Sequence, residues 1–206
     1  MWEVESHMQY LFYTEKPLED YSSAHPPNDS LYPPPPLKCP HRDCHMPLSL
    51  KKHGYYERWL ITETFQGHIR IRRYICPVCG KTVSMMPAFC IPRFQYGAAV
   101  IVNSVWSIIE TGSVMQAAQE WSKEISSLTR RHLTYYRGRM CQNRKFIQYG
   151  INAMPPAPVE LGQISGDIEW TKKFLHEIRL TNIHPFNAGF HNTTGNSFMS
   201  YRIRIA

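Results

Sequence analysis

Two hundred and six residues, 43% of them hydrophobic, suffice for one ordinary domain or two small ones, and sixteen prolines mark part of the chain as unable to hold regular structure. No run of eighteen apolar residues occurs, and the start lacks a basic stretch followed by an apolar one, so neither a membrane helix nor an export signal is expected. Without export, the six cysteines read as metal ligands or buried apolar residues rather than a disulfide framework, and the expected location is the cytoplasm.

The net charge of +7 is unevenly placed. Residues 1–36 carry six acids and one lysine, whereas Lys38–Gly150 is strongly basic. Clustered positive charge is the footprint of a polyanionic partner. In the lead-in, Pro26–Pro27 and Pro33–Pro36 exclude helix and favour extended polyproline geometry, so residues 1–36 read as a poorly ordered acidic segment. Residues 37–92 read as short strands. Tyr55–Thr62 is a plausible strand, and in His68-Ile69-Arg70-Ile71-Arg72 β-branched and basic residues alternate with period two, the mark of a half-buried strand. Lys81–Met85 gives a third strand.

After Pro92 the pattern becomes helical. Tyr96–Glu110 places Val100, Ile101, Val105, Ile108 and Ile109 on one face. Ser113 with Gln116 has the form of a capping box, opening a short helix from Val114 to about Trp121. Ser122–Ser127 then turns into a third helix, Leu128 to about Asn143. Its apolar side is Leu128, Leu133, Tyr136 and Met140, and its other side carries Thr129, Arg130, Arg131, Thr134, Arg137 and Arg139. Beyond 150, a proline-containing linker leads to one amphipathic helix, about Ile168–Leu180, and a tail. The expected fold class is therefore α+β: a small antiparallel ribbon at 37–92, a helical unit at 93–150, and a linker, helix and tail at 151–206.

The cysteines carry the most specific signal. Cys39-Pro-His-Arg-Asp-Cys44 and Cys76-Pro-Val-Cys79-Gly80 are two knuckles separated by thirty-one residues. Zinc takes four ligands in tetrahedral array and suits thiolates, and the strands between the pairs would bring the knuckles together. Pro77 presets φ and Gly80 permits positive φ, as a tight knuckle requires. The first pair is wider than usual, so His41 or His45 stands as an alternative ligand. His53 and His68 read as surface or packing residues, and Cys90 and Cys141 as buried apolar ones. A tetrathiolate site is closed, which makes it structural rather than catalytic, so no enzyme activity and no small-molecule substrate are expected.

Three helices with a short middle one and an Arg-rich third suggest a helix-turn-helix, in which the third helix enters the major groove. Its turn, at six residues, is longer than the usual three or four. The series Cys39–Cys44, Lys52-His53-Gly54-Tyr55, Ile71-Arg72-Arg73-Tyr74-Ile75-Cys76-Pro77-Val78-Cys79-Gly80-Lys81-Thr82-Val83-Ser84, Pro87 and Pro92 resembles the zinc-ribbon domain found in or beside bacterial insertion-sequence transposases. The resemblance covers about residues 37–110, with a weaker match to about 145. It implies one structural Zn2+ held by Cys39, Cys44, Cys76 and Cys79. It also implies DNA contact by the basic strand (Arg70, Arg72, Arg73) and by the third helix (Thr129, Arg130, Arg131, Thr134, Arg137). Transposases of that kind continue into a carboxylate-bearing nuclease domain, for which the acids after Gly150 offer no strand series. The expectation is a DNA-binding accessory or remnant of a mobile element, nucleoid-associated, without a nuclease. The competing expectation is an interaction module that partners a separately encoded transposase or another copy of itself.

Overall fold

The alternating run at 68–72 lies within a strand, as its pattern predicts, but its basic face is partly covered: His68 is exposed, Arg70 half-buried and Arg72 buried. In a computed structural model, the described residues are 8–200 apart from 42, 45, 46, 48, 49, 155, 157–160, 162, 163 and 165. Four strands form one sheet: β1 (Met8–Phe12), β2 (Lys51–Ile61), β3 (Gln66–Ile75) and β4 (Thr82–Pro87). Their order is β1-β4-β3-β2. The β2–β3 and β3–β4 pairs are antiparallel, whereas β1 lies parallel to β4. Six helices follow: α1 (Ala98–Thr111), α2 (Val114–Glu124), α3 (Arg130–Gln142), α4 (Arg144–Ala153), α5 (Asp167–Leu180) and α6 (Ile183–Thr194). The fold class is α+β. None of the described helices is long and apolar enough to cross a membrane.

The sheet is larger than a bare ribbon because the lead-in joins it. Leu11, Phe12, Tyr21, Leu31 and Tyr32 are buried in the same cluster as Leu60, Ile69, Ile71, Val83 and Met85. The described part of the segment expected to be loosely ordered is thus built into the core. Prolines forbid helix, but the extended path they favour still lets aromatic side chains reach the sheet. Each large aromatic side chain buries about 150–250 Å². The rings of Tyr21 and Tyr32 meet edge to face at 5.6 Å, and the Tyr32 hydroxyl donates to the Arg70 carbonyl at 2.5 Å. Central β4 is flanked on both sides, and Val83–Pro87 are all buried. That double burial explains why its sequence shows no alternation.

The helices form a second core around α1. Val100, Ile101, Val102, Val105 and Ile108 pack with Ala117, Leu133, Tyr136 and Ile147. Gly112, at φ 68°, closes α1 in the left-handed conformation, and the Ser113 hydroxyl caps α2 by accepting from the Gln116 N–H. The expected third helix is α3, and beyond Asn143 a further helix, α4, follows that the sequence pattern does not announce. The Asn143 amide donates to the Phe198 and Ser200 carbonyls at 3.0 and 2.8 Å. The tail expected after 180 instead contains α6. Phe186 and Phe198 pack on Phe174, and Phe190 on both of them, with centroid separations of 5.5 to 6.3 Å.

Helix α6 couples the two cores. Asn192 brackets the edge strand: its Oδ1 accepts from the Leu11 N–H at 3.0 Å and its Nδ2 donates to the Leu11 carbonyl at 2.6 Å. The side chain thereby fills the place of a further strand at that edge. Asn187 Nδ2 donates to the Ala88 and Cys90 carbonyls, and His191 Nε2 lies 3.0 Å from the Gln9 carbonyl.

Two predictions follow from this packing. A Cβ added at Gly150 of α4 would fall inside the van der Waals envelope of the Phe190 ring, which is fully buried and cannot retreat. Gly150→Ala should destabilise the chain by about 1–3 kcal/mol in urea unfolding, although Ala is the better helix former. The second concerns Asp29, which receives hydrogen bonds from Lys52 and Tyr55 and pairs with Arg72 at 3.2 Å. The Lys52 ammonium, then the Tyr55 hydroxyl, hold its carboxyl below the ordinary carboxylate value. A depressed folded value means that the stabilisation is present above about pH 4 and is lost as pH falls through the folded value. Asp29→Asn should therefore flatten the acid limb of the stability–pH curve, measured by urea unfolding in steps from neutral pH downward. An unchanged acid limb would exclude this role.

Candidate metal centre and basic helix face

The four cysteines come from both ends of the strand region and meet at one end of the sheet. Cys39 and Cys44 precede β2. Cys76 and Cys79 lie in the connection from β3 to β4, just beyond the Ile75–Thr82 pair. That connection is tight: the Cys76 N–H donates to the Lys81 carbonyl at 3.0 Å and the Gly80 N–H to the Cys76 carbonyl at 2.9 Å. Gly80 sits at φ 69°, which a side chain would disfavour. In the first knuckle the Cys44 N–H donates to the His41 carbonyl at 3.0 Å, so the wider spacing still forms a turn.

The four sulfurs lie within 4.8 Å of one another. Cys39 Sγ is 3.8 Å from Cys79 Sγ, and Cys44 Sγ is 3.8 Å from Cys76 Sγ. A disulfide requires about 2.05 Å. A tetrahedron with metal–sulfur distances of about 2.3 Å has an edge of about 3.8 Å. The donor set fits one metal ion with four thiolates, the two 3.8 Å separations each linking one knuckle to the other. Among the described residues these four are the group so arranged.

The local backbone prepares the sulfurs unequally. The N–H groups of Cys79 and Val78 point at Cys76 Sγ and hold its thiol down at about 7. Burial pushes the Cys39 thiol up, to about 12. Binding a cation would draw all four into the thiolate form, so affinity should fall with acidification.

His41 is buried but does not join the cluster. Its Nε2 accepts from the Lys81 ammonium at 2.7 Å, which ties the first knuckle to the end of the second. His45 lies outside the described residues. His68 packs edge to face on Trp59 at 4.9 Å, and His53 is exposed. Cys90 is fully buried, and burial raises its thiol to about 11. Cys141 is half-buried, with its sulfur 3.7 Å from Thr171 Oγ1.

The expected DNA-contacting residues divide into two sets. Those on β3 are engaged within the chain. Arg70 donates to the Ser23 and His25 carbonyls. Arg72 is buried, ion-paired with Asp29, its guanidinium 4.6 Å from the centroid of the Tyr55 ring. Arg73 is half-buried, 5.9 Å from the Tyr56 ring centroid. The basic face of this strand is covered by residues of the acidic lead-in, a long-range pairing that strand alternation does not encode.

The residues on α3 stand otherwise. Thr129, Arg130, Arg131, Thr134 and Arg137 are all exposed. Thr129 serves first as the cap, its N–H donating to His132 Nδ1 at 3.1 Å. Leu133, Tyr136 and Met140 face the core as the pattern predicts. Arg139 departs from the expectation: it is buried, with its guanidinium 5.1 Å from the Tyr135 ring centroid. Helix α3 packs on both α1 and α2. Buried Ala117 and Ala118 allow the close approach, and buried Ile125 and Leu128 anchor the turn between α2 and α3.

A family profile described as "Domain of unknown function (DUF6431)" matches residues 39–131. The stretch begins on the first metal-ligand candidate and ends in the first turn of α3, and covers less than half of the chain. Comparison with curated proteins and with solved structures returned no match.

The centre makes a direct prediction. Protein purified without added metal should carry about one metal ion per chain by elemental analysis. Cys76→Ser should lose it and lower the unfolding midpoint, because metal binding contributes folding free energy. Full metal content in Cys76→Ser would exclude the four-thiolate assignment.

Proposed function

We propose that this chain is a zinc-dependent DNA-binding protein, akin to the DNA-binding region of transposases, that acts by binding rather than by catalysis. The observation that carries the reading is the exposed row Arg130, Arg131, Thr134 and Arg137 on a helix braced by two others. Arginine on such a helix reaches guanine edges or phosphates with a bidentate fork. Zinc is the metal a closed tetrathiolate favours, and its role here is structural. It holds the ends of β2, β3 and β4 together, and the sheet in turn supports the loop that leads into α1. With β3 covered, the DNA contacts are assigned to α3 alone, in the manner of a recognition helix.

The test is fluorescence anisotropy with a labelled duplex. Affinity should fall steeply with salt, since each phosphate contact releases counterions. Arg130→Ala combined with Arg131→Ala should weaken binding and reduce the log–log salt slope by about two, with the fold intact. Affinity that is the same at roughly 50 and 200 mM salt would overturn the reading.

A further inference from the structure

A cleft of about 780 Å³ opens between the start of β1, the loop before α1, helix α3 and the end of α6. Tyr135 forms part of its wall. The same residue lines a shallower hollow with Thr129, Arg130, Arg131 and Thr134. The two hollows therefore meet at Tyr135. Among the described residues, no Asp or Glu lines either of them. Cations flank the divide: Arg93 is exposed on the cleft side, and Arg130 and Arg131 on the other.

Tyr135 is 47% exposed, yet its ring is held in place. Arg139 donates to its hydroxyl through Nε at 3.1 Å and Nη2 at 3.0 Å. The rings of Phe94 and Tyr136 lie 6.2 and 5.9 Å away. A large aromatic surface that is half open but already ordered loses little side-chain entropy on binding. Arg93 is likewise placed by its backbone. Its φ of 69° is unusual outside glycine, and Arg58 fixes the chain on both sides by donating to the Ile91 and Phe94 carbonyls.

An ordered aromatic ring between cations, with no carboxylate among the described lining residues, suits a strand whose bases are free to stack and whose phosphates need neutralising. Paired bases are stacked on one another and cannot use the ring. We propose that the cleft takes an unpaired stretch of DNA, with a base on Tyr135 and the backbone running from Arg93 towards Arg131, where duplex on α3 begins. This rests on the reading of the chain as a DNA-binding protein and adds the strand form that it recognises.

The experiment uses the full-length, metal-loaded chain and two labelled probes, an oligothymidylate of about twelve nucleotides and a blunt duplex. Both should bind. Tyr135→Leu and Arg93→Gln should each weaken the single strand by about tenfold or more, with much smaller effects on the duplex. Circular dichroism and metal content check folding, and Arg93→Gln, at an exposed side chain, keeps the test open if Tyr135→Leu folds poorly. Retention of the duplex without the single strand would overturn this proposal alone, as would substitutions that leave the single-strand affinity unchanged or weaken both probes equally. Binding of neither probe would overturn the DNA-binding reading itself.

Discussion

Four sulfurs drawn within 4.8 Å of one another are the constraint on which the rest of the strand region depends. As thiolates they repel, and only a cation at their centre makes the cluster favourable. In return the cluster fixes three chain positions together: the approach to β2, the end of β3 and the start of β4. The β2–β3–β4 meander then has its register set at one end by the knuckles and at the other by the Ile61–Gln95 and Gly97–Ile61 backbone bonds of 2.8 and 2.9 Å. Burial of β4 and of the face of Ile69 and Ile71 specifies the register between these two ends.

What the sequence discloses is what neighbours in sequence decide. The Cys76–Cys79 knuckle, the alternation of β3 and the faces of α1 and α2 are local patterns, and they appear where the patterns put them. The first strand and α6 depend on one another across the whole chain. Leu11 is held by Asn192, and Gln9 meets His191. Met8–Phe12 is a short parallel edge without a declaring alternation, and in Ile183–Thr194 the helical spacing of Ile183, Phe186 and Phe190 is interrupted by Asn187 and His191 on the inward side. Long-range polar clamps of this kind leave no trace at the spacing of a strand or a helix.

The candidate site divides along the same line. The four cysteines are legible because knuckle spacing is a local geometric demand. The exposed arginines of α3 are legible because their apolar counterparts repeat every three to four residues. For Arg70 and Arg72 the pattern is silent on one point: alternation separates one face of β3 from the other, but does not say whether that second face meets water or protein. Here it meets Tyr32, Asp29 and the carbonyls of Ser23 and His25. The lead-in, read as poorly ordered from its prolines, supplies in Asp29 a counter-charge for that basic strand.

The loop from Ala88 to Gly97 joins these parts into one surface. Arg58 reaches it from β2, Asn187 from α6, and Ile61 and Gly97 close it onto the end of the sheet. Such a loop is over-determined, and only an over-determined loop can keep a non-glycine residue at positive φ, as Arg93 is kept. The strain at Arg93 is therefore borne by bonds from both cores. The consequence is positional: a cation stands at the rim of a cleft that α3 also lines, and the loop packs directly on that helix, Phe94 against Tyr135 and Tyr136 and Tyr96 against His132. Sheet, loop and basic helix are in this sense one packed series, with the cysteines at the far end of the sheet.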